Sequence, residues 1–279
     1  MKIKLSDAQI RTIESKIKKI AIDQGRSPME ARTLFLLERA AARMVLDPEL
    51  YEHLIFKGGY VALRVYQSPR FTSDIDALIQ GLPIDEAIRR IRAALDEDIR
   101  DGAWFSWMGQ ETLKTQGAYG GIRLDFRAGV GDPPSVMKKA QRINIDLGIG
   151  DPVTPGPRRV ETGFEIGEGA LSWQVYPIET ILAEKLHALI TLGSRNSRSK
   201  DVYDIDLFWR GVDIHSLRNA LEKTFAHRND PLPTSIAEKL KEIDSRVLKR
   251  GWDSAIASIK NAPTFESTFN SLLKKSELL

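Results

Sequence analysis

The chain has 279 residues, enough for a full hydrophobic core in one large domain or two. Its 42% hydrophobic and 28% charged residues are typical of a globular protein, and no apolar run reaches the roughly 18 residues that span a bilayer. The absence of cysteine excludes disulfides and zinc–thiolate sites, and a net charge of +3 permits a nucleic-acid partner without requiring one. The first residues contain no apolar signal segment, so we expect a cytoplasmic protein with no membrane partner.

Two capped helices are predicted at the start of the chain. Isoleucines recur at three- and four-residue spacing after Ser6, which predicts a helix from Asp7. The segment Ser27-Pro28-Met29-Glu30 is a capping box with proline at the first helical position, and it predicts a second helix to about Leu46. Both helices are interpreted as structural, and a brief strand is predicted from His53 to Phe56.

Two carboxylates, Asp74 and Asp76, lie one residue apart in a predicted strand that follows the glycine turn Gly58-Gly59 and a short helix. Residues i and i+2 of a strand face the same side, so both carboxylates point one way while the alternating aliphatic residues face the core. Two like charges this close favour a cation between them, and oxygen ligands favour a divalent metal. The glycines let backbone N–H groups approach a phosphate closely, so we predict a triphosphate cradle followed by two Mg²⁺ ligands. The alternative is a solvated strand end or a cap for the next element.

A third carboxylate is expected from a neighbouring strand. A helix is predicted over 84–95, strands with a turn at Gly117 over 103–126, and a loop over 129–134. The segment 142–149 alternates aliphatic and polar residues, which predicts a strand with Asp146 on its polar face. Asp125 competes with Asp146 for the third position, but Arg123 and Arg127 flank Asp125 on its own face and could pair with it.

The stretch from Gly150 to Pro157 is rich in proline and glycine and breaks regular structure. It predicts a boundary between residues 1–155, which hold the N-terminal helices and an α/β core, and a mainly helical lobe over 156–279. Helices are predicted after Pro177, from Lys200 to Trp209, from Ile236 to Val247, and from Phe265 onwards.

Charged residues in this second part are candidates for a site. Lys185 falls inside the apolar stripe of its helix, so it either snorkels at the edge of the core or reaches into a site. Asp201 and Asp204 share one helix face; a favourable interaction with the helix dipole explains Asp201 better than Asp204. The basic loop residues Arg195, Arg198 and Lys200 are candidates for gripping phosphates.

Several blocks, in a fixed order, resemble the AbiEii/AbiGii toxin family of nucleotidyltransferases, relatives of the polymerase-β-like superfamily. The matching residues are Lys57-Gly58-Gly59 with Ala62-Leu63, Arg70 with Ser73-Asp74-Ile75-Asp76, Ile145-Asp146, Ala183 to Ala188, and Lys200 to Ile205. The resemblance implies an α+β fold, in which a mixed β-sheet core with flanking helices is joined to a helical C-terminal lobe.

The resemblance also implies roles for residues of this chain. Asp74 and Asp76 match the metal-binding pair, with Asp146 in the third acidic place. Lys185 matches the essential lysine of the helical lobe, and Asp204, with Asp201 beside it, matches the acidic residue of the last motif. Asp74, Asp76, Lys185 and Asp204 are therefore the predicted catalytic residues. The residues predicted to bind the nucleotide are Lys57, Gly58, Gly59, Arg70, Ser73 and Asp201.

These matches imply transfer of a nucleoside monophosphate from an NTP with Mg²⁺. Members of the family act as toxins paired with an antitoxin of transcription-regulator type, and some modify the 3′ end of tRNA. We therefore expect an RNA acceptor, with tRNA preferred. A protein or antibiotic hydroxyl is the alternative acceptor. A catalytically silent binding protein is a further alternative, because Tyr60 stands where the family usually has serine or threonine after the second glycine.

Overall fold

The computed structural model describes residues 5–113, 120–192 and 198–279. These residues form two compact units. The first, here called the sheet unit, draws on the ranges Met1–Tyr60, Phe71–Gly150 and Arg159–Val175. The second, here called the helical unit, draws on Val61–Arg70, Asp151–Arg158 and Tyr176–Leu279.

In the described part of the chain, seven strands form one sheet, and its mixed character agrees with the prediction. The strands are β1 (Leu54–Lys57), β2 (Asp74–Ile79), β3 (Ala103–Leu113), β4 (Gly121–Val130), β5 (Gln141–Ile149), β6 (Arg158–Gly163) and β7 (Ala170–Val175). Their order across the sheet is β3-β4-β5-β2-β1-β7-β6. Strand β2 is antiparallel to β1 and parallel to β5, and β4 is antiparallel to both β3 and β5.

The sheet unit is built around α2 (Pro28–Leu46). Its N-terminus has the predicted capping box, in which Ser27 and Glu30 satisfy each other's backbone N–H groups. From Leu34 to Met44 the helix is buried, and it packs against β2, β5 and β7. It also packs against the other helices of the unit, which are α1 (Asp7–Gln24), α3 (Pro48–His53) and α5 (Ile84–Asp96). Apolar burial along this helix therefore covers one face of the sheet.

The chain passes from the sheet unit into the helical unit within α4 (Gly58–Arg64). The remaining helices are α6 (Ile178–Leu192), α7 (Ser199–Phe208), α8 (Ile214–His227), α9 (Ile236–Lys241), α10 (Ser245–Lys249), α11 (Trp252–Ile256) and α12 (Phe265–Ser276). Helix α6 packs against α7, α8 and α9, and α7 packs against α10, α11 and α12. The helices predicted after Pro177 and from Phe265 are confirmed, and the one predicted from Lys200 begins one residue earlier, at Ser199.

Strands β6 and β7 follow the predicted boundary at Gly150 to Pro157, so the expectation that the chain is mainly helical from residue 156 is wrong for this segment. Both are six-residue strands, and β6 shows no buried position that would give a hydrophobic alternation. Apart from its first residue, β6 belongs with β7 to the sheet unit. The domain division at 155/156 stays a prediction.

The bounds of several predicted helices and strands differ from those in the structure. The helix predicted from Ile236 to Val247 is two helices, because Asp244 caps a new one through the backbone N–H of Arg246. Strand β4 continues to Val130, into the predicted loop. Helices α3, α8 and α11 were not predicted, and the turn predicted at Gly117 lies outside the described residues. Within 5–113, 120–192 and 198–279, no helix combines the length and apolarity needed to cross a membrane.

Candidate functional site

One row of charged side chains crosses five strands of the sheet unit. The strand register pairs Lys57 with Asp76, Asp76 with Asp146, Asp146 with Arg123, and Arg123 with Glu111. Residues in register on neighbouring strands place their side chains on the same face. Asp76 and Asp146 therefore stand side by side in the middle of this charged row, and each has a basic residue as its other neighbour.

The two carboxylates of β2 face the same side, as predicted. Asp74 and Asp76 are half-buried, whereas Ile75 between them is fully buried. The register also separates the two candidates for the third carboxylate. Asp146 is directly beside Asp76, but Asp125 is paired with Asn144, which lies between it and Asp74. The sheet therefore supports Asp146 over Asp125 as the neighbour of the pair.

Arginines hold both of these carboxylates, in an arrangement that differs from the expectation. Arg123 donates from Nε and Nη2 to Asp146, at 2.7 and 2.6 Å, and so pairs across the strands rather than along its own strand with Asp125. Arg142 donates to Asp125 instead. Arg127, the other expected partner of Asp125, donates to the backbone carbonyl of Ala140. The hydrogen bonds to Asp146 raise the pKa of Arg123, which stays fully charged.

The glycine turn lies against the carboxylate strand. Gly58 has φ +68°, and a Cβ on it would lie 1.9 Å from Oδ2 of Asp76. A Cβ on Gly59 would lie 2.8 Å from Oγ1 of Thr72, and that hydroxyl donates to Oδ1 of Asp74 at 2.8 Å. Only glycine allows the backbone to come this close. The turn and the two carboxylates are therefore one structural feature, and the cradle for a triphosphate stays a prediction.

Thr72 was missed in the sequence analysis, although a signal for it exists. It precedes Asp74 by two residues, so an extended chain places both side chains on one side. Ser73, which was predicted to bind the nucleotide, is exposed, and Lys57 is half-buried at the end of β1.

Tyr60 does not fill the glycine turn. Its side chain is 1% exposed, and its ring centroid lies 5.7 Å from that of Trp173 in the core of the sheet unit. The residue after the two glycines therefore contributes to packing. A buried aromatic ring explains why a large side chain is tolerated there, and it removes the steric objection to a ligand at the turn.

The helical unit contains a second cluster, formed by three cations and two carboxylates. Arg70 donates from Nε and Nη2 to the two oxygens of Asp204, at 2.7 and 2.8 Å. Lys185 lies 2.6 Å from Asp201 and 2.8 Å from Asp204, so its ammonium bridges the two carboxylates. Arg198 adds a contact of 2.8 Å to Asp201. We call these five residues the ion network.

The buried charges of the ion network shift one another's pKa values. Burial by itself would lower the pKa of Lys185, but the charges and hydrogen bonds of Asp201 and Asp204 raise it above its ordinary value. Burial would likewise raise the pKa of Asp201, but Lys185 and Arg198 lower it. Arg70 also has a raised pKa, because its hydrogen bonds to Asp204 outweigh its burial. Lys185, Asp201 and Arg70 are therefore charged near neutral pH.

Most of the charged residues singled out in the second part of the chain are held in ion pairs with one another. Lys185 does not snorkel, because its ammonium is fixed between two carboxylates. Arg70, which was predicted to contact a nucleotide, uses Nε and Nη2 for Asp204. Arg198 contacts Asp201 and Lys200 is exposed, whereas Arg195 lies outside the described residues.

The residues of the sheet unit fit a divalent metal in part. Asp74 and Asp76 offer carboxylate oxygens from one face, next to a turn that only glycine can form. Among the described residues, no three acidic or histidine side chains converge as a metal site. The geometry gives a reason, because Arg123 binds both oxygens of Asp146. Asp74 and Asp76 could hold a metal, whereas both oxygens of Asp146 are bound by Arg123.

Comparison with known proteins gives a consistent result. The profile described as "Nucleotidyl transferase AbiEii toxin, Type IV TA system" matches residues 39–273. The fold is similar to that of MenT4, a nucleotidyltransferase toxin from Mycobacterium tuberculosis H37Rv, with 15% identity, a TM-score of 0.63, and coverage of 98% of this chain and 89% of that one. It is also similar to JHP933 from Helicobacter pylori, with 17% identity, a TM-score of 0.50, and coverage of 87% and 88%. No curated protein matches the sequence.

Proposed function

Because the chain belongs to the AbiEii family of nucleotidyltransferase toxins of type IV toxin–antitoxin systems, we propose that it transfers a nucleoside monophosphate to the 3′ end of tRNA with Mg²⁺. Nucleotidyl transfer by a toxin is the activity of the family, whereas the acceptor and the metal are our proposal. The observation that carries it is the glycine turn packed against Asp76, with Asp74 on the same face. This arrangement offers backbone to a triphosphate and two carboxylates to its metal.

The proposed reaction is a single displacement at the α-phosphorus of an NTP. The 3′ hydroxyl oxygen of the acceptor forms a new bond to phosphorus and passes its proton to solvent, and pyrophosphate leaves with the electron pair of the broken P–O bond. Mg²⁺ would supply Lewis acidity and would neutralise charge on the phosphates. Asp74 and Asp76 would hold it, Thr72 orients Asp74, and Gly58 and Gly59 allow phosphate to approach the backbone.

Lys185 is proposed to act as a phosphate-binding cation. Its ammonium has three hydrogens, and the ion pairs to Asp201 and Asp204 use two of them. Its side chain is 20% exposed, and its raised pKa keeps it charged. The two carboxylates therefore hold in place a permanently charged ammonium of the helical unit, and a fixed positive charge is what phosphate binding requires.

The test is a labelling experiment with purified protein. The protein is incubated with Mg²⁺, total tRNA and each of the four α-³²P-labelled NTPs in turn. We expect label in tRNA with one or more NTPs and equimolar release of pyrophosphate. D76N should abolish both signals, whereas D125N, a matched change on the same face of the sheet, should retain them. Labelling that survives in D76N would remove the metal role of Asp76.

The same experiment in crude lysate tests the acceptor. Label in protein or in a small molecule, with none in RNA, would contradict the tRNA acceptor and leave nucleotidyl transfer standing. The alternative of a catalytically silent binding protein had Tyr60 as its only support, and that side chain packs in the core of the sheet unit. No label with any NTP, together with normal growth on induced expression, would favour that alternative.

We further propose that the toxin acts in the cytoplasm and is neutralised by an antitoxin of transcription-regulator type. We expect growth arrest when the toxin is expressed alone. We expect normal growth when such an antitoxin from the same operon is co-expressed. Growth arrest that persists when the antitoxin is co-expressed would contradict the assignment of the antitoxin.

A further inference from the structure

Asp146 has two roles in the sheet that conflict. It lies directly beside Asp76, where a third metal ligand is expected, but Arg123 binds both of its oxygens. From this geometry we infer that Arg123 exchanges partners. It holds Asp146 before substrate arrives, and it binds the phosphates of the NTP once Asp146 has turned to the metal. The inference rests on the proposed nucleotidyl transfer and names a phosphate-binding residue for it.

The charges along the row explain why an exchange is needed. A divalent cation between Asp76 and Asp146 would lie beside the guanidinium of Arg123, and two positive centres a few ångströms apart repel strongly in a half-buried site. The pair is partly shielded from water, because the side chain of Arg123 is 28% exposed and that of Asp146 is 15% exposed. Metal binding to Asp146 therefore competes with the ion pair.

A polyphosphate is the partner that suits the released arginine best. The guanidinium fork that matches two carboxylate oxygens also matches two phosphate oxygens. A triphosphate brings more negative charge than Glu111, the other neighbour of Arg123 in the row, which is an exposed side chain. A nucleotide that binds with a divalent metal would therefore offer Arg123 a replacement for Asp146.

The adjacent row contains a matched ion pair that lacks this conflict. Arg142 binds both oxygens of Asp125, on the same face and between the same two strands. The register neighbour of Asp125 on β5 is Asn144, so no second carboxylate stands directly beside it. The side chain of Arg142 is half exposed. R142Q is therefore the control for R123Q.

The experiment measures binding without turnover. Mn²⁺ is titrated into the purified full-length chain and the free ion is followed by electron paramagnetic resonance, with and without an α,β-methylene NTP analogue; analogue affinity is measured by calorimetry. We expect R123Q to bind Mn²⁺ alone about tenfold more tightly than the unmodified chain, because one nearby positive charge is gone. We expect it to bind the analogue about tenfold more weakly, because a bidentate phosphate contact is lost. R142Q should match the unmodified chain in both measurements.

The possible outcomes separate this inference from the proposed function. If either shift is missing in R123Q, or if R142Q shows the same shifts, the exchange is wrong even though the enzyme binds metal and nucleotide. If the unmodified chain and D76N bind neither ligand, the proposed function itself fails. R123K keeps the charge and should retain more of the analogue affinity than R123Q. Thermal unfolding of each variant confirms that it is folded.

Discussion

Replacing Asp204 by asparagine tests whether the ion network is a structural requirement of the helical unit. Asp204 is 1% exposed and accepts two hydrogen bonds from Arg70 and an ion pair from Lys185. An asparagine keeps the shape but removes the charge, and its amide nitrogen would bring a donor towards groups that are donors themselves. Arg70, whose side chain is 11% exposed, would then lose the acceptor of both of its bonds.

The expected cost is large because the pair is buried. Removing one partner of a buried ion pair leaves the other charge uncompensated and costs about 3–5 kcal/mol in the free energy of unfolding. Asp206 provides a matched control on the same helix. It pairs with Lys275 at 2.6 Å, but both side chains are about a quarter exposed. D206N should therefore cost about 1 kcal/mol or less.

The assay is urea unfolding followed by circular dichroism, with the free energy of unfolding taken from the midpoint and slope. D204N should lose several times as much stability as D206N. If the two variants lose the same amount, burial does not set the strength of the network and the reasoning is wrong. Growth arrest measured with the same variants shows whether loss of toxicity exceeds the loss of folded protein.

Three further predictions follow from single contacts. G58A should abolish binding of Mn²⁺ and nucleotide, because its Cβ would overlap Asp76, whereas G163A, with open space around the new methyl, should retain binding; equal binding in both would refute the cradle. Y60A should cost about 3–5 kcal/mol in urea unfolding through the cavity it leaves, and an unchanged midpoint would contradict its place in the core. The pKa of Asp201 is lower in the folded protein than its ordinary value of 3.8, so the ionised carboxylate stabilises the fold at pH values above 3.8. This stabilisation is lost as the pH falls through the lower pKa of the folded state. The difference in unfolding free energy between the unmodified chain and D201N should therefore be constant near neutral pH and shrink below about pH 4; a constant difference down to the acid transition would count against that pKa.

Local chemistry determined much of this protein from sequence. The cap at Ser6 and the capping box at Ser27 fixed the starts of two helices, and the alternation around Ile75 and Ile145 fixed which faces of β2 and β5 are polar. These features depend on residues a few positions apart. The glycine turn and the carboxylate pair could be recognised together for the same reason, because both are contained in one short stretch.

Strand register, in contrast, was decided only in the tertiary structure. In the sequence, Arg123 is two residues from Asp125, and nothing indicates that it lies opposite Asp146 on the neighbouring strand. The ion network joins Arg70 to Asp204, which is 134 residues away. A charge finds its partner through the alignment of distant segments, and that alignment is set by hydrophobic packing of the whole sheet or helix bundle. The sequence alone therefore identified the carboxylate pair Asp74 and Asp76. Only the tertiary structure showed that Arg123 binds Asp146, the residue beside Asp76.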